Sequence, residues 1–228
     1  MESLFGFIKE HVFHVAPILL VGGVAFAITL ERWRALFFVY PMKNTADFFK
    51  AIRELVMTDK IAEAIALCEA FRAKPVACIV RAALQRAHQP EELIEDGLVV
   101  AVGEGLESIQ RRTAFLSTIA NVATLLGLFG TIVGLVRSFE AIGSATAQNR
   151  SALLANGIST SMNATMLGLA VAIPTMLAFG FLMNKTNNLS AEAEQAAALS
   201  MDILKQRFYS TEFSASGDSS HAAESQAS

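Results

Sequence analysis

Charge of either sign is missing from two long stretches of this 228-residue sequence. Thr113 to Val136 and Ile158 to Met183 contain no Asp, Glu, Lys, Arg or His. Each exceeds the roughly 20 mostly apolar residues that an α-helix needs to cross a hydrocarbon layer. A third apolar stretch, Val12 to Leu30, carries His14 as its one ionisable side chain. Hydrophobic residues make up 53% of the chain and the mean hydropathy is +0.45, more than a soluble core of this size needs, so much of the chain faces lipid.

Other absences exclude chemistry. The two cysteines, Cys68 and Cys78, form no CxxC and no Cys/His spacing, so they read as packing residues with reduced thiols. The four histidines, His11, His14, His88 and His221, are scattered. No glycine-rich phosphate loop, metal-ligand spacing or nucleophile motif occurs, and an enzyme anchored by its spans would need a catalytic cluster in 31–112 that is not there. The protein is therefore expected not to be an enzyme and to hold no cofactor. A net charge of -3 without a dense basic stripe excludes nucleic acid as a partner. The first apolar stretch lacks the basic start and small-residue cleavage site of a secretory signal, and Glu31-Arg32-Trp33-Arg34 follows it directly.

The basic residues orient the spans. Twelve of the 18 Lys and Arg lie between Glu31 and Arg112, three follow Met183, and only Lys9, Arg137 and Arg150 remain for the other side. The positive-inside rule then puts the middle segment and the C-terminus in the cytoplasm. The expected layout is a periplasmic N-terminus over 1–11, spans over 12–30, 113–138 and 158–184, and a cytoplasmic helical domain over 31–112. A periplasmic loop and helix start cover 139–157, a cytoplasmic helix 185–209 and a disordered tail 210–228. The fold class is an all-α membrane protein, three transmembrane helices with long helical cytoplasmic extensions.

Within the cytoplasmic domain the pattern predicts helices over Thr45–Val56, Asp59–Phe71 and Pro75–Ala87, with Thr45 and Thr58 as caps and Pro75 and Pro90 in first turns. No proline or turn cluster interrupts Glu91 to Glu140, which predicts one helix of about 75 Å. Beyond the third span, Leu189, Ala193, Ala196, Leu199, Ile203 and Leu204 share a helical face.

The second span has an ordered polar pattern. Ser117, Asn121, Thr124, Thr131 and Ser138 fall within an arc of roughly 100° at about 100° per residue, predicting one polar face throughout its depth. Such a face suits a partner helix or a wet pore better than lipid. Gly130 and Gly134 form a GxxxG pair permitting close approach, with Gly127 in the same helix. The third span carries Asn156, Ser159, Thr160, Ser161, Asn163 and Thr165 in its outer half, then Pro174, which neighbours can tolerate by satisfying the freed carbonyl. Thr131 and Thr165 each lie about 30 Å from the inner basic boundary, so two hydroxyls from antiparallel helices share a level. An ion path that carries protons normally needs a titratable group at depth, and these spans have none, so a carboxylate must come from another chain.

Leu126–Gly134 (LGLFGTIVG) and Gly157-Ile158-Ser159 with Ala164–Pro174 (ATMLGLAVAIP) resemble the signature of the MotA/TolQ/ExbB proton-channel family. Three spans and a cytoplasmic insert of about 80 residues suit its ExbB/TolQ branch, since MotA proteins have four spans. The insert and the tail resemble the family in layout only. The resemblance implies a homopentamer whose second and third helices surround two copies of an ExbD/TolR-like single-span partner, whose membrane Asp supplies the missing carboxylate. It implies a motor that spends the ion-motive force on an envelope process. Thr131 and Thr165 match the family's pore threonines, and Asn121, Thr124, Thr160 and Asn163 complete the expected ion pathway, with Gly127, Gly130, Gly134, Gly168 and Pro174 as packing positions. Where many ExbB and TolQ proteins carry Glu, five residues before the second threonine, this chain has Thr160. Hydroxyl and amide oxygens also coordinate a dehydrated cation, so Na+ stands beside H+ as the carried ion. The rival from another class is a non-conducting membrane scaffold, for which the threonines would be dispensable.

Overall fold

A computed structural model describes the backbone of residues 12–42, 44–143, 146 and 148–225, and the side chains of 16–42, 44–143, 146 and 148–209. Its described elements are all helical. They are α1 (Val12–Arg34), closed by a π-helical turn over Ala35–Val39, α2 (Thr45–Met57), α3 (Ile61–Ala70), α4 (Pro75–Gln85), α5 (Glu91–Gln110), α6 (Phe115–Gly143) and α7 (Arg150–Ser225). Three helical stretches, Ala16–Val39, Glu91–Gly143 and Arg150–Tyr209, are long and apolar enough to cross a membrane. The expectations for 1–11, His11, His14 and His221 lie outside the described side chains. The backbone of α7 reaches Ser225, into the stretch expected to be a disordered tail, and nothing is described of its side chains past 209.

The chain divides into two compact units, 1–34 with 112–184 and 35–111 with 185–228. In the first, α6 and α7 run antiparallel along a seam of small residues. A Cβ added at Gly127 would lie 3.1 Å from the Gly168 Cα, one at Gly130 2.7 Å from the Ala164 Cβ, and one at Gly134 2.8 Å from the Ser161 Cβ. Gly157 lies against the Ser138 side chain in the same way. Each turn forward on α6 is met by one turn back on α7, so the two backbones approach as closely as missing side chains allow. Buried Ala123 and Ala172 continue the seam toward the start of α6. Away from it Leu125 and Phe181 are 62% and 68% exposed, an apolar outer surface of the kind lipid covers. α1 contributes Ile18 and Ala25 to the interior and touches α7 where Gly22 meets Val171.

α7 continues as a helix through Pro174, which has no N–H to donate. Next to it the Thr175 hydroxyl donates to the Val171 carbonyl at 2.7 Å, adding a bond where the proline disturbs the ladder.

In the second unit α2 to α5 and residues 185–209 of α7 bury Phe48, Ile52, Val56, Val76, Ile79, Val80, Leu84, Ile94, Leu98 and Ile109. The predicted face of α7 is buried at Leu189, Ala193, Ala196, Ile203 and Leu204, but Leu199 is exposed. Leu199 sits at the edge of that arc, and Ser200 takes the interior place with its hydroxyl donated to the Ala196 carbonyl at 2.7 Å. Arg207 pairs with Asp59 at 2.7 Å and Lys205 with Glu91 at 2.6 Å, solvent-exposed contacts that screening keeps weak.

Four expectations about helix ends are corrected. The single helix from Glu91 to Glu140 is broken at Arg111–Ala114, where Arg112 takes φ 63° and its guanidinium reaches both carboxylate oxygens of Glu31 at 2.8 Å. The left-handed backbone costs about 1 kcal/mol or more for a side chain of this kind, of which an exposed ion pair returns only a part. Thr58 closes α2 instead of opening α3, because its hydroxyl donates back to the Glu54 carbonyl at 2.9 Å and Asp59 follows at φ 59°. Thr45 is the first residue of α2, after Asn44, and Pro90 is the residue before α5, whereas Pro75 occupies its expected first turn.

Burial pushes the Cys68 thiol up to about 12, the Arg81 charge opposing it only partly. The folded unit therefore holds that proton more tightly than the unfolded chain and loses stability as pH rises from 9 toward 12. In a Cys78→Ala variant at pH 8, iodoacetamide is expected to leave Cys68 unlabelled until denaturant is added, as mass spectrometry would read; rapid native labelling would contradict the packing. Gly168→Ala would put a methyl 2.8 Å from both the Ala123 carbonyl oxygen and the Gly127 Cα, at a cost of about 1–3 kcal/mol. Gly180→Ala meets nothing within 4 Å. Thermal melting of the detergent-solubilised protein should fall for the first variant and stay put for the second.

Candidate functional site

Polar side chains on α6 and α7 take their places from the seam. On antiparallel helices, residues just after a pair of facing positions turn to one flank of the contact, and residues just before turn to the other. Gly130 faces Ala164, so Thr131 and Thr165 share a level and a flank. Both hydroxyls end on the same turn of α6: Thr165 Oγ1 donates across the seam to the Gly127 carbonyl at 3.3 Å, and Thr131 Oγ1 donates to the Leu128 carbonyl at 2.6 Å. Each hydroxyl spends its proton on backbone and leaves its oxygen lone pairs as acceptors. Thr124 follows buried Ala123 onto the same flank, exposed, with its hydroxyl on the Ala120 carbonyl at 3.1 Å.

No described element of this chain covers that flank, where Leu128, Met162 and Leu169 stand exposed beside the threonines. α1 packs on the other side. A groove there brings Leu19, Gly22, Phe26 and Thr29 against Ala170, Val171, Pro174, Thr175 and Ala178.

The remaining expected pathway residues separate. Thr160 precedes Ser161 and lies on the α1 side, in a cavity with Arg137 and Asn156. Asn163 is half-buried and Asn121 exposed, and at 100° per residue both point well away from the seam. The polar face predicted for the second span is likewise divided. Ser138 is buried in the seam, donating to the Gly134 carbonyl at 2.7 Å, while Asn121 is exposed far around the helix. An arc of 100° is wide enough to straddle a helix contact, so its ends belong to different surfaces. The residues that sequence reasoning passed over as site members are Arg137 and Asn156; their signal was a basic residue and an amide at the loop-linked ends of α6 and α7. Among the described residues no group of His, Cys, Asp and Glu could hold a metal ion.

Residues 72–195 match the MotA/TolQ/ExbB proton channel family. The Tol-Pal system protein TolQ of Haemophilus influenzae is 33% identical over 106 residues, 45% of this chain and 46% of that protein. A putative biopolymer transport protein, ExbB-like 3, of Synechocystis is 46% identical over 74 residues, 32% of this chain and 35% of that one. The biopolymer transport protein ExbB of Neisseria gonorrhoeae is 27% identical over 204 residues, 83% of this chain and 90% of that one. The chain thus spans about half the length of the TolQ relative and about a third of the Synechocystis one.

Thr165→Val removes one cross-helix donor and keeps the side chain's shape, so it is expected to cost no more than about 1 kcal/mol of stability. Melting of the solubilised variant should remain within a few degrees of the parent; collapse of the fold would make Thr165 a structural residue.

Proposed function

The chain belongs to the MotA/TolQ/ExbB proton channel family, in its ExbB/TolQ branch, and from that premise we propose that it is a proton-conducting subunit of an inner-membrane motor. Five copies form a ring with N-termini in the periplasm and C-termini in the cytoplasm. They surround two copies of an ExbD/TolR-like single-span protein, and proton passage drives an envelope process through that partner. The observation that carries this reading is the pair of hydroxyls, Thr131 and Thr165, presented at one level on a flank that no described element covers.

The chemistry follows from what those oxygens can do. Transfer through a bilayer needs a group that changes protonation, and the apolar runs of this chain hold no carboxylate. An Asp on the partner's helix, brought against the flank, would donate to a threonine oxygen when protonated. When ionised it would accept from the same hydroxyl after a small rotation away from the backbone carbonyl. The hydroxyls therefore serve both states of the acid at short range, lowering the barrier to exchange without fixing the proton. Thr160 bears no charge, and its place on the opposite flank removes no group from the threonine surface. That favours protons over sodium, which would need several oxygens converging on one point.

The test is flux of protons into vesicles carrying the chain together with its partner. Thr131→Val and Thr165→Val should each abolish flux while membrane insertion and partner retention stay normal, and the Ser variants should keep most of it. Full flux in both Val variants would leave the scaffold reading standing. Flux that needs sodium at a fixed pH gradient would replace the proton with that ion. Gly130→Leu does not separate the readings, because a side chain there strikes Ala164 within the chain itself.

A further inference from the structure

The flank opposite the threonines carries a second polar surface that the proposed ion path does not use. Between the outer ends of α6 and α7 lies a cavity of about 230 Å³ whose polar lining is Arg137, Ser138, Asn156, Thr160 and Ser161. We propose that it binds the phosphate of a phospholipid headgroup from the outer leaflet. The leaflet rests on the orientation given under Proposed function; the phosphate chemistry does not.

Hydrogen-bond accounting in the cavity leaves a surplus of donors. The hydroxyls of Ser138 and Ser161 donate to the carbonyls of Gly134 and Ile158, at 2.7 and 2.9 Å. Arg137, Asn156 and Thr160 have no hydrogen bond or ion pair with any described residue. Together they offer the guanidinium N–H groups, an amide NH2 and a hydroxyl. Arg137 is the one charged side chain in the lining, so the cavity has a single positive charge and no acid to neutralise it. A phosphodiester carries one negative charge and two non-bridging oxygens that an Arg fork can hold together, with further lone pairs for the amide and the hydroxyl, and so matches that set of donors.

Depth and surroundings select lipid as the source. Arg137 is the first charged residue beyond the apolar run that begins at Thr113, which puts the cavity where hydrocarbon gives way to headgroups. Val136 beside it and Leu153 in the lining are exposed apolar side chains against which an acyl chain can lie. Glycine at 134 and 157 keeps the floor of the cavity open, since a side chain at either would strike the facing helix.

Native mass spectrometry of the detergent-purified full chain, titrated with phosphatidylglycerol, tests this directly. Arg137→Gln is expected to bind the lipid about tenfold more weakly, the loss of one charge-assisted contact, and Thr160→Val several-fold more weakly. Arg150→Gln, outside the lining, should bind within about twofold of the parent and so controls for general surface charge. Equal binding by Arg137→Gln and the parent would overturn the site. Displacement of the lipid by millimolar inorganic phosphate would overturn the headgroup assignment in favour of a soluble anion. Because the readout needs neither partner nor ion flux, its failure leaves the proposed conduction untouched.

Discussion

The close approach of α6 and α7 is the constraint on which the rest depends. Gly127 against Gly168 and Gly134 against Ser161 bring backbone to within contact distance, and at that spacing a helix pair has little freedom to slide or rotate. Sliding by one turn would drive Ala123 or Ser138 into positions that only glycine fits. The register therefore has few alternatives, and it is the register that brings Thr131 level with Thr165 and turns both to one side. A looser pair of leucine-faced helices could carry the same threonines without specifying their relation.

Much of this could be read in the residues beforehand. The apolar runs are long and free of charge, so the spans were legible from length alone. The common level of the two threonines followed from helical rise. What periodicity does not contain is the identity of each face's neighbour. It placed Ser138 and Asn121 in one polar arc, and only the packed pair shows that one lies in the seam and the other far from it. Thr160 and Thr165 are five residues apart, which sequence treats as one polar stretch, yet they lie on opposite flanks because Ser161 and Ala164 between them occupy the contact.

The helix ends illustrate a different limit. Nothing local breaks the run from Glu91 to Glu140, for Arg112 and Thr113 are ordinary helix residues. What accompanies the break is a carboxylate 81 positions away, Glu31, which meets Arg112 with both oxygens. Long-range ionic contacts of this kind leave no mark on periodicity. Thr58 was ambiguous for the opposite reason: a hydroxyl between two helices can serve the end of one or the start of the next, and its bond to the Glu54 carbonyl decides it.

A seam this tight also acts as a partition. No water-sized gap is left where Gly127 meets Gly168, so at that level the two flanks of the pair are separated by backbone in contact. Under the proposed function, the threonine surface would then exchange with a partner acid while the Arg137 side held a fixed charge on the far side of the seam. In a bilayer, where charge separation is costly and screening weak, glycine at the contact keeps the two chemistries apart as effectively as it holds the helices together.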